Sequence, residues 1–236
     1  MNAWLGPSEW QAVALSIQVS LWATALSLPF GILVAYALAR WEFRGKQLLN
    51  IVVHLPLILP PVVTGYLLLL TFGRRGPIGG WLEDTFGLVL AFRWTGAALA
   101  AAIMAFPLMV RAIRLAIEAV DPKLEEAAAT LGASRPRVFF TVTLPLIGPG
   151  LIAGAVLAFA KAMGEFGATI TFVSNIPGQT QTIPSAIYAF LQVPGGESGA
   201  LRLVVVSILL AMGALFASEW LARRTQRRTT GREGVL

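Results

Sequence analysis

Five long apolar runs, separated by short polar and basic segments, set the plan of this chain. They cover residues 10–39, 48–72, 95–117, 146–172 and 200–220, and each matches or exceeds the roughly 20 residues a helix needs to cross a hydrocarbon layer. The pattern predicts an all-α polytopic membrane protein with five transmembrane helices. Trp4, Trp10 and Trp41 flank the first run as interface anchors. Pro29 and Gly31 predict a kink inside it. The second run holds Pro56, Pro60, Pro61 and Gly65, which disrupt successive turns. Such breaks suit either a helix presenting backbone groups to a polar pathway or a kinked packing helix. His54, the only histidine, reads as a packed or interfacial residue.

Residues 74–94 form a polar connection with Gly76-Pro77 and Gly79-Gly80 as turn signals. Its apolar piece, 87–92, is too short to span. The third run is interrupted at Phe106-Pro107 and ends with Arg111 and Arg114. The fourth holds Gly148, Gly150, Gly154, Gly164 and Gly167, where other helices can approach closely.

Composition agrees with a membrane protein. Of 236 residues, 56% are hydrophobic and 13% charged, against about a quarter charged in ordinary soluble domains. The net charge of +6 raises the question of nucleic acid, but the basic residues flank apolar runs and form no binding stripe. Cysteine is absent, which excludes disulfides and thiolate metal sites. No basic residue precedes Arg40, and the apolar stretch is too long for a cleavable signal, so the first run is expected to stay. Without sustained repeats or low-complexity segments, residues 1–236 read as one transmembrane domain.

Charge sets the topology. One side collects Arg40, Arg44, Lys46, Arg111, Arg114, Lys123, Arg135, Arg137, Arg223, Arg224, Arg227, Arg228 and Arg232; the other holds Arg74, Arg75, Arg93 and Arg202. The N-terminus is then outside, the C-terminus inside, and residues 118–145 are cytoplasmic.

Within that cytoplasmic segment, 125–145 read EEAAATLGASRPRVFFTVTLP. An alanine-rich helix stopped by Gly132, then a second short helix capped by Ser134 with Pro136 in its first turn, makes a helix–turn–helix. Small side chains on the first helix suit close docking of another surface. The rival reading is a solvated connector. In the fourth run, Lys161 and Glu165 stand four apart and so share a helix face. Lys161 lies roughly 20 Å from the cytoplasmic end. Charges at that depth pair or line a cavity; a structural ion pair beside the path is favoured over a gate. The Gly45-Lys46 pair lacks the rest of a phosphate-binding loop, and the cytoplasmic segments are too small for a nucleotide-binding domain. Any ATPase must be a separate chain.

Glu126-Ala127-Ala128, three residues, Gly132, nine residues, Val142, one residue, Leu144-Pro145 resembles the EAA loop of ABC importer permeases, with Val142 where the family usually has Ile. The resemblance implies a type I importer permease fold, a permease homodimer, and a dimer of ATPase subunits that hold ATP and Mg and receive the loop in a groove. This chain itself is expected to bind no cofactor and to catalyse nothing. Glu125, Glu126, Ala127, Ala128, Gly132, Ser134, Arg135 and Pro145 become the candidate coupling residues. Residues 161–188, with HLPLILPPVVTGYLLL in the second run, resemble molybdate permeases; the Gly-Glu-aromatic-Gly pattern at 164–167 is shared with sulfate permeases. The resemblance implies molybdate, with tungstate as its near-isostere, an extracytoplasmic binding protein, and the inner membrane as location. Pro60, Pro61, Thr64, Lys161, Glu165, Thr169, Thr171, Ser174 and Asn175 are the candidate path or gate residues. The alternatives are a sulfate or thiosulfate permease of the same build, a secondary transporter, or a non-transport membrane subunit. A single Lys–Glu pair speaks against proton coupling.

Overall fold

The computed structural model describes residues 4–229 and contains no strand among them. The helices are α1 (Pro7–Arg40), α2 (Lys46–Ile58), α3 (Pro61–Phe72), α4 (Pro77–Phe86), α5 (Trp94–Glu118), α6 (Pro122–Thr130), α7 (Arg135–Val138), α8 (Leu144–Leu146), α9 (Gly148–Met163), α10 (Gly167–Val173), α11 (Ile183–Leu191) and α12 (Glu197–Thr229), with a π-helical turn, Phe139–Thr143, between α7 and α8. Arg232 lies outside the described residues.

Three helices, α1, α5 and the Glu197–Leu221 part of α12, are each long and apolar enough to cross a membrane. Two further apolar stretches are bent. The helices α2 and α3 meet at 115°, and the segment Arg135–Leu146 meets α9 at 72°. The second apolar run is thus two helices rather than one. Pro60 and Pro61 explain the break, since neither has an N–H to extend α2, and a residue before proline is pushed toward extended backbone. Leu59 has that conformation (φ −70°, ψ 142°), and Pro61 opens α3. The fourth run is divided as well: α9 stops at Met163 and α10 resumes at Gly167. By contrast α1 continues through Pro29 and α5 through Pro107, so neither proline ends its helix. The 74–94 connection contains α4, started by Pro77 and stopped by Gly87 in the left-handed region.

The core is built around α5. Its Ala97, Ala100, Ala101 and Ala105 are buried, as are Met109, Val110, Ile113 and Ile117. Small side chains let neighbouring helices come close where packing rather than water exclusion holds them together. Along α1 the contacts run in parallel: Trp22 beside Trp94, Gly31 against Met109, and Arg40 at Val120. Along α9 they run antiparallel, with Gly150 on Ala116 and Gly154 on Ile113. The half-helices α3 and α10 lie side by side in the same direction, Gly167 on Pro61 and Gly65 on the Ala168 carbonyl. A Cβ at Gly65 would sit 2.5 Å from that oxygen. The outward faces of α1, α2, α3 and α12 are strongly apolar, with Phe30, Ile58, Leu70 and Phe216 exposed.

Since the obstacle at Gly65 is backbone, it cannot rotate away. Gly65→Ala is expected to lower stability by about 1–3 kcal/mol, measured as thermal unfolding of the solubilised protein, whereas Gly213→Ala, inside α12 with open space around it, does not lower it.

Candidate functional site

The segment between α5 and α9 is built from its caps. Asp121 starts α6 by accepting a hydrogen bond from the Lys123 backbone N–H at 3.0 Å, with Pro122 in the first position. At the other end, Gly132 donates from its N–H to the Ala129 carbonyl (3.0 Å) and Ala133 to the Ala128 carbonyl (3.2 Å). This pairing of the last carbonyls is a Schellman stop, which needs a left-handed residue at Gly132; its φ is +85°. Nothing lies within 4 Å of where a Cβ would be, so the requirement there is backbone conformation, not space. Ser134 has the extended backbone of a cap before α7, and Pro136 sits in the first turn, but the serine side chain makes no capping bond.

Helix, turn and short helix leave one face open. Glu126, Ala127, Gly132, Ser134, Arg135 and Pro145 are exposed, and Ala128 is half-buried. Leu131 is 89% exposed. Glu125 points the other way. Its Oε1 accepts a hydrogen bond from Thr143 Oγ1 at 2.6 Å, and its Oε2 lies 3.3 Å from Arg40 Nε. Arg40 Nη2 donates to the Val120 carbonyl at 2.8 Å. Beside this cluster the rings of Tyr36 and Phe139 meet edge to face at 5.2 Å. Sequence reasoning took Arg40 only as a topological charge and passed over Thr143. The available signal was helical geometry: two consecutive acids on one helix point about 100° apart, so one of them faces inward.

At the second break, Lys161 Nζ is 2.9 Å from Glu165 Oε2. The expectation of a shared helix face is replaced by a pair that bridges two helices. Lys161 is in the last turn of α9, where a cation meets the negative end of the helix. Glu165 precedes α10 and its Oε1 accepts from the Ala168 N–H at 3.0 Å. The carboxylate is 2% exposed and the lysine side chain 31%. The hydroxyls of the two α10 path candidates bond back to their own chain: Thr169 donates to the Phe166 carbonyl (2.9 Å) and Thr171 to the Gly167 carbonyl (2.8 Å). Ser174 is exposed and holds a positive φ of 65°. Asn175 Nδ2 donates to the Ser185 carbonyl at 3.4 Å, while its Oδ1 and the Thr64 hydroxyl are buried without a partner. Pro60 and Pro61 are exposed at the α2–α3 break. The structure thus brings Pro61 to α10 and joins Lys161, Glu165 and Thr169, the last through its hydroxyl 3.3 Å from the Glu165 carbonyl, and leaves the remaining path candidates in separate contacts.

Residues 27–227 match the family model described as the binding-protein-dependent transport system inner membrane component. This chain belongs to that family. The permease is 66% identical over 220 residues to the molybdenum transport system permease protein ModB of Escherichia coli K12, covering 93% of this chain and 96% of that one. It is 56% identical, with the same coverage, to ModB of Haemophilus influenzae. The sulfate transport system permease protein CysT of Escherichia coli K12 is 37% identical over 86% of this chain and 72% of its own. Among solved structures, a bacterial ABC transporter involved in alginate import resembles it with a TM-score of 0.70 at 18% identity, covering 94% of this chain and 80% of that one. The MetNI methionine ABC transporter gives 0.69 at 15%, covering 92% and 94%. These two likenesses establish the permease fold.

Removing one member of the Lys161–Glu165 pair strands the other. Lys161→Met is expected to cost about 1–3 kcal/mol, below the full value for breaking a wholly buried pair because the lysine is partly exposed. Lys161→Met combined with Glu165→Gln should recover most of the loss, since the amide oxygen still accepts from Ala168. Thermal unfolding of the three proteins in detergent measures this.

Proposed function

We propose that this chain is the membrane-spanning subunit of an ATP-driven importer for molybdate, and for tungstate as its near-isostere. The observation that carries the substrate is the 66% identity, nearly end to end, with a permease named for molybdenum transport. The observation that carries the mechanism is the exposed α6–turn–α7 element, with Gly132 at its left-handed stop and Leu131 bare beside it.

In this reading there are five crossings: α1, the bent α2–α3 pair, α5, the α9–α10 segment, and α12. The N-terminus is outside and the C-terminus inside, with 118–145 in the cytoplasm. Two copies form a homodimer around one path, lined by the fifth crossing and the α3–α10 region. An extracytoplasmic binding protein delivers the oxyanion, and a separate ATPase dimer holds ATP and Mg. Closure of that dimer pulls on α6 and turns the permease outward; hydrolysis resets it. The dianion needs donors rather than a tight cage along the way. A sulfate permease is the second reading, supported by the lower identity to CysT.

Co-purification with a cognate ABC ATPase, followed by ATPase assays with the binding protein loaded with molybdate, tungstate or sulfate, tests both. Stimulation by molybdate and tungstate but not sulfate is expected. Stimulation by sulfate alone reassigns the cargo, and absence of ATPase association removes the reading. Gly132→Val, which forces a β-branched residue into positive φ, is expected to insert normally yet lose most of its uptake.

A further inference from the structure

We infer that Glu125 is the joint through which movement of α6 reaches the membrane helices, while its neighbour Glu126 belongs to the face offered to the ATPase; this rests on the permease reading above. Among the described residues, every side-chain hydrogen bond or ion pair that leaves α6 for another element ends on Glu125. The two oxygens of that carboxylate reach different bodies. Oε1 holds Thr143, a fully buried residue at the end of the π-helical turn that feeds α8 and α9. Oε2 holds Arg40, the last residue of α1, whose Nη2 is bonded to Val120 just past the end of α5. One side chain therefore joins the coupling helix to α1 and α5 on one side and to the approach to α9 on the other.

The two contacts differ in kind. The Thr143 bond, at 2.6 Å, is short and directional and fixes a pivot point. The Arg40 contact, at 3.3 Å, is a charge contact, because the buried Nε–H is not aligned with any acceptor. Charge attraction between partly buried groups depends weakly on angle, so it holds while the carboxylate swivels. A pivot with one stiff and one compliant arm lets α6 tilt and still drag the end of α1. Helix α1 in turn packs along α5 from Trp22 to Arg40.

The test uses the complete transporter in proteoliposomes: permease, ATPase, and binding protein loaded with molybdate, read as uptake per ATP hydrolysed. Glu125→Gln is expected to keep ATPase association and to hydrolyse ATP within about twofold of the parent, with uptake per ATP falling on the order of tenfold, inside the usual range of coupling between sites. Glu126→Gln should instead weaken ATPase association. Thr143→Val and Arg40→Gln should each give part of the Glu125→Gln loss. The double variant Glu125→Gln with Arg40→Gln should be no worse than Glu125→Gln alone, as expected for residues acting through one contact. Unchanged uptake per ATP in Glu125→Gln, loss of ATPase association matching Glu126→Gln, or losses that multiply in the double variant would each overturn the joint. If Glu125→Gln fails to accumulate in the membrane, Thr143→Val decides: an unchanged ratio there overturns it too. A parent transporter without molybdate-stimulated hydrolysis refutes the permease reading itself; an active parent with an indifferent Glu125→Gln refutes only the joint.

Discussion

A backbone inside hydrocarbon has no water to turn to, so every interruption of a membrane helix must be covered by protein. That constraint organises this molecule. Its two interior breaks, at Leu59–Pro60 and at Gly164–Phe166, are brought together by the contact of Gly167 with Pro61. The start of α3 lies against the break at Gly164–Phe166, while Pro60 and Pro61 keep an exposed face at their own break. Glu165 completes the arrangement by accepting from the backbone of α10 while neutralising Lys161. Without small residues at Gly65 and Gly167 the two half-helices could not approach this closely.

The same logic of local satisfaction separates the two acids of the coupling segment. Glu125 is held by Thr143 and Arg40, whereas Glu126 lies on the exposed face with Leu131. Besides the chain connections at its two ends, α6 meets the membrane helices through what its inner face holds. One short helix thus carries an exposed face and a partly buried tether, and contributes no buried apolar side chain of its own.

How much of this was legible beforehand depended on whether the cause was local. The stop at Gly132 could be read because a Schellman turn requires one residue type at one place, and the second turn showed Pro136 where a first turn tolerates it. The prolines at 60 and 61 announced disruption but not its angle, which depends on what α3 packs against. Lys161 and Glu165 were read as neighbours for the wrong reason, helical spacing; they meet because α9 ends between them and the carboxylate is needed at the next helix. Thr169 and Thr171 looked like free donors since a sequence does not say when a hydroxyl bends back to its own helix. Pro107 misled in the other direction, because a long packed helix can carry a proline without stopping.

The contact between α3 and α10 has a mechanical corollary. Where backbone rests on backbone at Gly65 and Ala168, there is no flexible side chain to compress or re-rotamerise. The two half-helices therefore behave as one stiff panel. The panel is tied to α2 and α9 at one end, through Leu59–Pro60 and Gly164–Phe166, and continues past Gly73 and Ser174 at the other, with Val173 of α10 against Gly96 of α5. Any displacement of one half-helix must therefore carry the other with it and be absorbed where they join the rest of the chain.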